Sequence, residues 1–235
     1  MPYRNMSLED FAQHVGMDAR EVQKLAERGK LPGQKVGGEW RFNRARVTEW
    51  LQQEMHTLDE ARLITLERTM GAGTDDESLI LTDLIGLEGV DVELRANTKA
   101  SVLRELVGLA NRTGLLYDAE GLLKALEARE EMCSTGLQHG VAIPHPRQPM
   151  PYVSAEPLVC FARTSRGIGF GSPYGGLSHL FFLICCHDDR HHLRVLARLM
   201  RVLSPEVIEA LDEAETREAV LEILIEKEKQ IVTTT

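Results

Sequence analysis

Arg129-Glu130-Glu131-Met132-Cys133-Ser134-Thr135-Gly136-Leu137-Gln138-His139-Gly140-Val141-Ala142-Ile143-Pro144-His145-Pro146-Arg147 is the stretch on which the reading of this 235-residue chain turns. A charged segment runs into a glycine-bearing loop, and the loop enters a short apolar strand, Val141 to Ile143, that stops at Pro144. The histidine that follows is predicted to stand at a strand end, facing outward. Neutral imidazole has a pKa of about 6.5, so near neutral pH one ring nitrogen keeps a lone pair able to attack a phosphoryl group, provided that the other is oriented by a hydrogen bond. On spacing alone, a loop imidazole without chemical role is the simpler account of His145.

Around this stretch the pattern is helices alternating with apolar strands. From about Glu77 strands are expected at Val90 to Leu94, Val141 to Ile143, Leu158 to Ala162 and Leu180 to Cys186. Thr98 caps a helix carrying Val102, Leu103, Leu106, Val107 and Ala110, and Asp118 caps one carrying Leu122, Leu123 and Leu126. The reading is an α/β (α+β) C-terminal domain, a mixed sheet flanked by helices, over residues 78–235.

Towards the N-terminus the units shorten. Ser7 caps a helix with Leu8, Phe11, Ala12 and Val15 inward, closed by Gly16; Asp18 caps a second, from Ala19 to about Glu27, with Val22, Leu25 and Ala26 inward. Two helices across a three-residue turn suggest a helix-turn-helix. Gln34-Lys35-Val36 and Glu39-Trp40-Arg41-Phe42 flank Gly37-Gly38, whose freedom to take positive φ suits a two-residue hairpin turn, and a third helix from Asn43 or Arg44 brings Val47, Trp50 and Leu51 inward. Residues 1–55 thus form a small winged helix-turn-helix domain, and 56–77, polar with a helical stretch around Leu58 to Met70 and then Gly71-Ala72-Gly73-Thr74-Asp75-Asp76, form a linker.

Charge is distributed unevenly between these parts. The chain carries −9 overall, which argues against coating nucleic acid by bulk electrostatics. Residues 1–55 hold nine Lys or Arg against eight Asp or Glu, net +1, so the rest carries −10. No apolar run approaches the roughly 20 residues that span a bilayer, and the N-terminus lacks a signal-peptide core, so a cytoplasmic protein with no membrane partner is expected. Cys133, Cys160, Cys185 and Cys186 include no CxxC pair and read as buried thiols of a reducing compartment. His139, His145, His187, His191, His192 and Cys185 could be grouped as a zinc site, but none has a strong ligand spacing, so neither metal nor cofactor is expected.

From about Ser78 to Lys229 the chain resembles the enzyme IIA domains of the fructose, mannitol and nitrogen-regulatory branches of the bacterial phosphotransferase system, on Arg129-Glu130, Ser134-Thr135-Gly136, Gly140 to His145 and His192-Leu193. The resemblance implies that His145 accepts phosphate from a histidine phosphocarrier protein, that His192 is the second active-site histidine and that Arg129 is the active-site arginine. Those residue types suit the roles: a forked cation can hold phosphoryl oxygens, and an imidazole can donate to the phosphate or to the attacking ring. Ser134 and Thr135 are expected to add hydroxyl donors. On a helix His191 and His192 diverge by about 100°, and only His192 shares the face of Leu196 and Leu199. Two departures bear on rate or donor choice: Pro146 stands where the family commonly has a small residue, and Tyr174 where it usually shows Asp-Gly.

Residues 6 to about 52 resemble the excisionase and MerR-like winged helix family, through Leu8 to Ala12, Val22 to Pro32 and Trp40-Arg41-Phe42. The resemblance puts Arg20, Gln23, Lys24 and Arg28 in a DNA major groove and Lys35, Trp40 and Arg41 on phosphates. One such module binds weakly, so a homo-oligomer or a neighbouring DNA-bound protein is expected. The function this implies is a regulator linked to the phosphotransferase system, whose modification at His145 is coupled to DNA binding. The alternatives are a transport component passing phosphate to an enzyme IIB, for which this chain shows no IIB or membrane IIC segment, and a protein-binding module that is not phosphorylated.

Overall fold

The computed structural model describes residues 5–71, 80–173 and 175–233. Tyr174, the Ala72 to Glu77 part of the linker and Ser78, where the second domain is expected to begin, lie outside the described residues. Spatial proximity divides the chain into two units, Met1–Asp76 with Leu193–Met200, and Glu77–His192 with Arg201–Thr235.

In the first unit a three-stranded antiparallel sheet, order β1-β3-β2, is built from β1 (Asn5–Met6), β2 (Gly33–Val36) and β3 (Glu39–Asn43), with α1 (Leu8–Val15), α2 (Ala19–Glu27) and α3 (Arg44–Glu54). The starts of the helices follow the caps read from sequence. Ser7 Oγ accepts from the Asp10 amide at 3.0 Å while the Asp10 carboxylate accepts from the Ser7 amide at 3.1 Å, a reciprocal capping box. Asp18 caps α2 and Asn43 caps α3 through their side-chain oxygens. Gly37 and Gly38 both take positive φ, 62° and 88°, in the turn joining β2 and β3. Phe11 and Phe42 stack at 4.3 Å, and with Val22, Val47 and Leu51 they fill the small core. β1 has no counterpart in the sequence reading: two residues carry no periodicity, and only pairing with β3 defines them. The helical stretch expected after Leu58 is α4 (Glu60–Gly71), with Leu63, Leu66 and Met70 buried; its Glu67, also buried, accepts from Arg198 Nε at 2.9 Å.

The second unit is a mixed sheet flanked by helices, with strand order β4-β6-β7-β5 for β4 (Val90–Asp91), β5 (Val141–Ala142), β6 (Leu158–Ile168) and β7 (Ser178–Cys185). β6 and β7 run antiparallel at the centre, and β4 and β5 add in parallel at the two edges. Helices α5 (Lys99–Arg112) and α6 (Ala119–Met132) lay Val102, Leu106, Ala110, Leu122 and Leu126 in one core with Cys160, Ala162, Phe181 and Leu183. Helices α7 (Asp189–Val202), α8 (Pro205–Glu213) and α9 (Arg217–Thr233) complete the chain. The Glu228 carboxylate of α9, fully buried, accepts from the Leu81 and Thr82 amides at 2.9 Å, hydrogen bonds that offset part of the cost of burying it.

The strand bounds differ from those expected. The first strand keeps only Val90 and Asp91, although the Leu94 amide still reaches the Arg163 carbonyl at 2.7 Å; β6 runs beyond Ala162 to Ile168 through an irregularity after Arg163. β5 ends at Ala142, where the Ile143 amide donates to the Thr135 carbonyl at 3.1 Å and Gly136 bridges Ala142, although the chain still meets β7 through the Pro144 carbonyl, which accepts from the Ile184 amide at 3.1 Å. The segment that leads from β5 to His145 is therefore stitched to its own approach loop.

Candidate functional site

His145 leaves the end of β5, and its ring lies against that of His192 in the first turn of α7, with centroids 4.9 Å apart. Their elements meet because β5 pairs with β7 and the chain leaving β7 enters α7. The outward-facing His145 expected from sequence is corrected: the residue is only 3% exposed, because Pro144 and Pro146 beside it are also buried and carry the segment inward. His192 is 4% exposed and Arg129, in the last turn of α6, 4%. His191 is half-buried, as expected of the residue about 100° away around the helix.

The tautomer of His145 follows from its partner. Nδ1 lies 2.7 Å from the Ile143 carbonyl, which can only accept, so Nδ1 carries the proton and Nε2 the lone pair. Nε2 of His145 and Nε2 of His192 are both buried and lack a hydrogen-bond partner among the described residues. Buried nitrogens without a protein partner are sites where a water or an anion can complete the hydrogen bonding.

Electrostatics agree with an anion-accepting site. Burial is the largest cause holding His145 well below its ordinary pKa, followed by His192 and then the Arg129 cation, while the bond to Ile143 opposes them. His192 is lowered to about 4, again first by burial and then by Arg129 and His191, against Asp188. Both rings are neutral at physiological pH, so one can act as nucleophile and the other as a neutral hydrogen-bond donor.

The approach loop is pinned on both sides. Arg129 Nη1 donates to the Cys133 carbonyl at 2.6 Å. Ser134 Oγ donates to the Phe170 carbonyl at 2.7 Å and accepts from the Gly136 amide at 3.0 Å; the Thr135 hydroxyl donates to Glu130. The expected free hydroxyl donors are thus engaged in holding the loop's shape. Sequence reading treated Glu130 only as part of the motif and gave Lys99 no role; Lys99 lies far upstream, and only folding brings its ammonium to 2.6 Å from the Glu130 carboxylate. Cys133, expected buried, is exposed, because it follows the last residue of α6 at the surface. Of the residues weighed for zinc, His139 is exposed in a left-handed conformation, φ 56°, and His187 Nε2 lies 3.1 Å from Ser154 Oγ.

In the first unit Arg20, Gln23 and Lys24 are exposed on α2, and Arg28, its C-cap, is exposed just beyond it. Gln23 lines a cleft of about 320 Å³ together with Lys35, Trp40 and Arg41 of the hairpin, so the structure brings together four of the seven residues named for DNA. Arg20, Lys24 and Arg28 do not line it. Lys35 sits 5.3 Å from the Trp40 ring centroid, and Arg41 is 2.5 Å from Glu39, which partly offsets its charge. Among the described residues no helix is long and apolar enough to cross a membrane.

A sheet-and-helix unit whose buried histidine lies against a second histidine, following a small helix-turn-helix in the sequence, defines a class, and the comparisons name it. The family described as the phosphoenolpyruvate-dependent sugar phosphotransferase system, EIIA 2, matches residues 83–227, more than half of the chain, and a helix-turn-helix domain family matches residues 6–55. The chain belongs to the EIIA type 2 family, with a helix-turn-helix domain in front. It is 30% identical over 152 residues to the fructose-specific EIIABC component of Bacillus subtilis, a match spanning 63% of this chain and 24% of that protein. It is 32% identical to the fructose-specific EIIA component of Haloferax volcanii, over 62% of this chain and 95% of the relative. The crystal structure of nitrogen regulatory protein IIA-Ntr from Neisseria meningitidis superposes with a TM-score of 0.55 at 30% identity, covering 63% of this chain and 99% of that one.

Proposed function

We propose that the chain is a regulator linked to the phosphotransferase system: a histidine phosphocarrier protein phosphorylates His145, and the phosphorylation state is coupled to DNA binding by the domain of residues 1–55. The observation that carries the reading is the His145 Nε2 lone pair, buried and without a hydrogen-bond partner among the described residues, beside His192 with the Arg129 cation acting on both rings. The lone pair forms the new N–P bond as the donor's N–P bond breaks and its electron pair returns to the donor nitrogen. Nδ1 keeps its proton, now stabilised by the Ile143 carbonyl as the ring gains positive character, so no proton has to move during transfer. Arg129 and His192 supply cation and N–H for the phosphoryl oxygens.

The regulatory branch is favoured over the transport branch by the helix-turn-helix match in front of the EIIA domain. Paired half-sites would raise the affinity of a small module without new contacts per subunit, so the DNA-bound form is a homo-oligomer or sits beside another DNA-bound protein. Incubation with phosphoenolpyruvate and a reconstituted phosphocarrier cascade should label the wild-type chain and leave His145→Ala unlabelled. Equal labelling of the two would overturn the assignment.

A further inference from the structure

Glu130 is next to Arg129 in sequence yet serves the site from a different side. Its carboxylate is 3% exposed and accepts from the Thr135 amide at 3.1 Å, from the Thr135 hydroxyl, and from the Lys99 ammonium at 2.6 Å. Lys99, the first residue of α5, also donates to the Glu130 carbonyl at 3.3 Å and lies 5.1 Å from the Phe170 ring centroid. Beyond Thr135 the line continues through the backbone. The Thr135 carbonyl accepts from the Ile143 amide at 3.1 Å, and the Ile143 carbonyl accepts from His145 Nδ1 at 2.7 Å. One series of polar contacts therefore joins an ammonium on α5 to the imidazole at the end of β5.

We propose that the Lys99–Glu130 pair is a positioning device for His145: by fixing Thr135, and through it Ile143, it aims the carbonyl that selects the Nδ1–H tautomer. The proposal rests on the reading that His145 Nε2 receives the phosphoryl group. The two neutral tautomers of imidazole differ little in free energy, so one directed hydrogen bond decides which nitrogen keeps the lone pair. That carbonyl lies one residue past the two-residue edge strand, between the Ile143 amide bound to Thr135 and the Pro144 carbonyl, which accepts from the Ile184 amide of β7 at 3.1 Å, so the loop bound to Glu130 sets its direction from one side. A carboxylate buried to this degree also needs its cation: without Lys99 the charge is unpaired and its hold on Thr135 is disturbed.

The test uses the full-length chain as wild type, Glu130→Gln, Lys99→Met and Lys99→Arg, read by long-range 1H–15N NMR of His145 before phosphorylation and by the rate of phosphotransfer from the phosphocarrier. Wild type should show His145 wholly as the Nδ1–H tautomer. Glu130→Gln and Lys99→Met should show mixed tautomers and transfer about ten- to a hundredfold slower, and Lys99→Arg should restore both readouts. Lys99 borders a cavity of about 420 Å³, which gives room for its replacements and keeps the comparison decisive should Glu130→Gln fail to fold. A single tautomer and an undiminished rate in Lys99→Met would overturn the proposal. If wild type accepts no phosphate, the phosphoacceptor reading fails, while the NMR comparison still decides whether the pair sets the tautomer.

Discussion

His145 and His192 are both held neutral, and burial is the larger cause in each. The pH dependence that follows has a definite sign. In the unfolded chain each ring takes up a proton near pH 6.5, whereas in the folded protein His192 does so only at about 4. Between those values the unfolded state holds more protons, so stability is intact above about pH 6.5 and falls as the pH drops towards 4. The part due to His192 is on the order of 3 kcal/mol, and His145 adds in the same direction. Urea denaturation of His192→Asn should show a shallower loss of stability across this window than wild type; parallel curves would refute the buried neutral state. The residue sequence Pro-His made His145 a candidate, but nothing in it showed that the ring turns inward, because that depends on packing against a helix that begins at Asp189. Thr135 was legible as a loop residue and not as the anchor of Glu130, since its partner Lys99 is fixed by tertiary structure alone.

The helices were legible from caps and periodicity at the level of the element. Ser7, Asp18, Thr98 and Asp118 each cap the helix read from them, because a cap is a local device. The two-residue strands were not legible: β1, β4 and β5 exist through their partners, and no pattern can mark a strand that short. On α2 and the β2–β3 hairpin the proposed DNA contacts separate by chemistry. Fluorescence anisotropy at several salt concentrations should show that Lys24→Ala weakens binding and, if Lys24 meets a phosphate, lowers the slope of log K against log salt by about one. Loss of about 1–3 kcal/mol on one sequence only would instead mark a base contact. Binding unchanged in Arg20→Ala, Lys24→Ala and Arg28→Ala alike would remove α2 from the interface.

Over the whole molecule the charge is divided unevenly: residues 1–55 carry net +1 and the remainder −10. A uniformly acidic chain would be a poor candidate for DNA, whereas a near-neutral domain attached to an acidic one confines any nucleic-acid contact to the former. The helix-turn-helix and EIIA matches fall on the same two regions, because each has its own motif and turn chemistry. Less legible was where α7 belongs: residues Leu193–Met200 cluster with the first unit while His192 clusters with the second, an arrangement its amphipathic pattern alone does not reveal.

The exposure of Cys133 gives the wild-type chain an experimental handle. Burial pushes the Cys160 thiol up to about 12 and Cys185 to about 11, and raises Cys186 further, so these three hold little thiolate at neutral pH and are shielded from reagents. A maleimide dye should therefore label one position out of four, without mutagenesis, on the residue whose carbonyl Arg129 holds. Mass spectrometry of the labelled peptides checks the selectivity. A fluorophore there would sit at the start of the loop leading to His145, where a phosphoryl group drawing on Arg129 would be seen in real time as a change in emission.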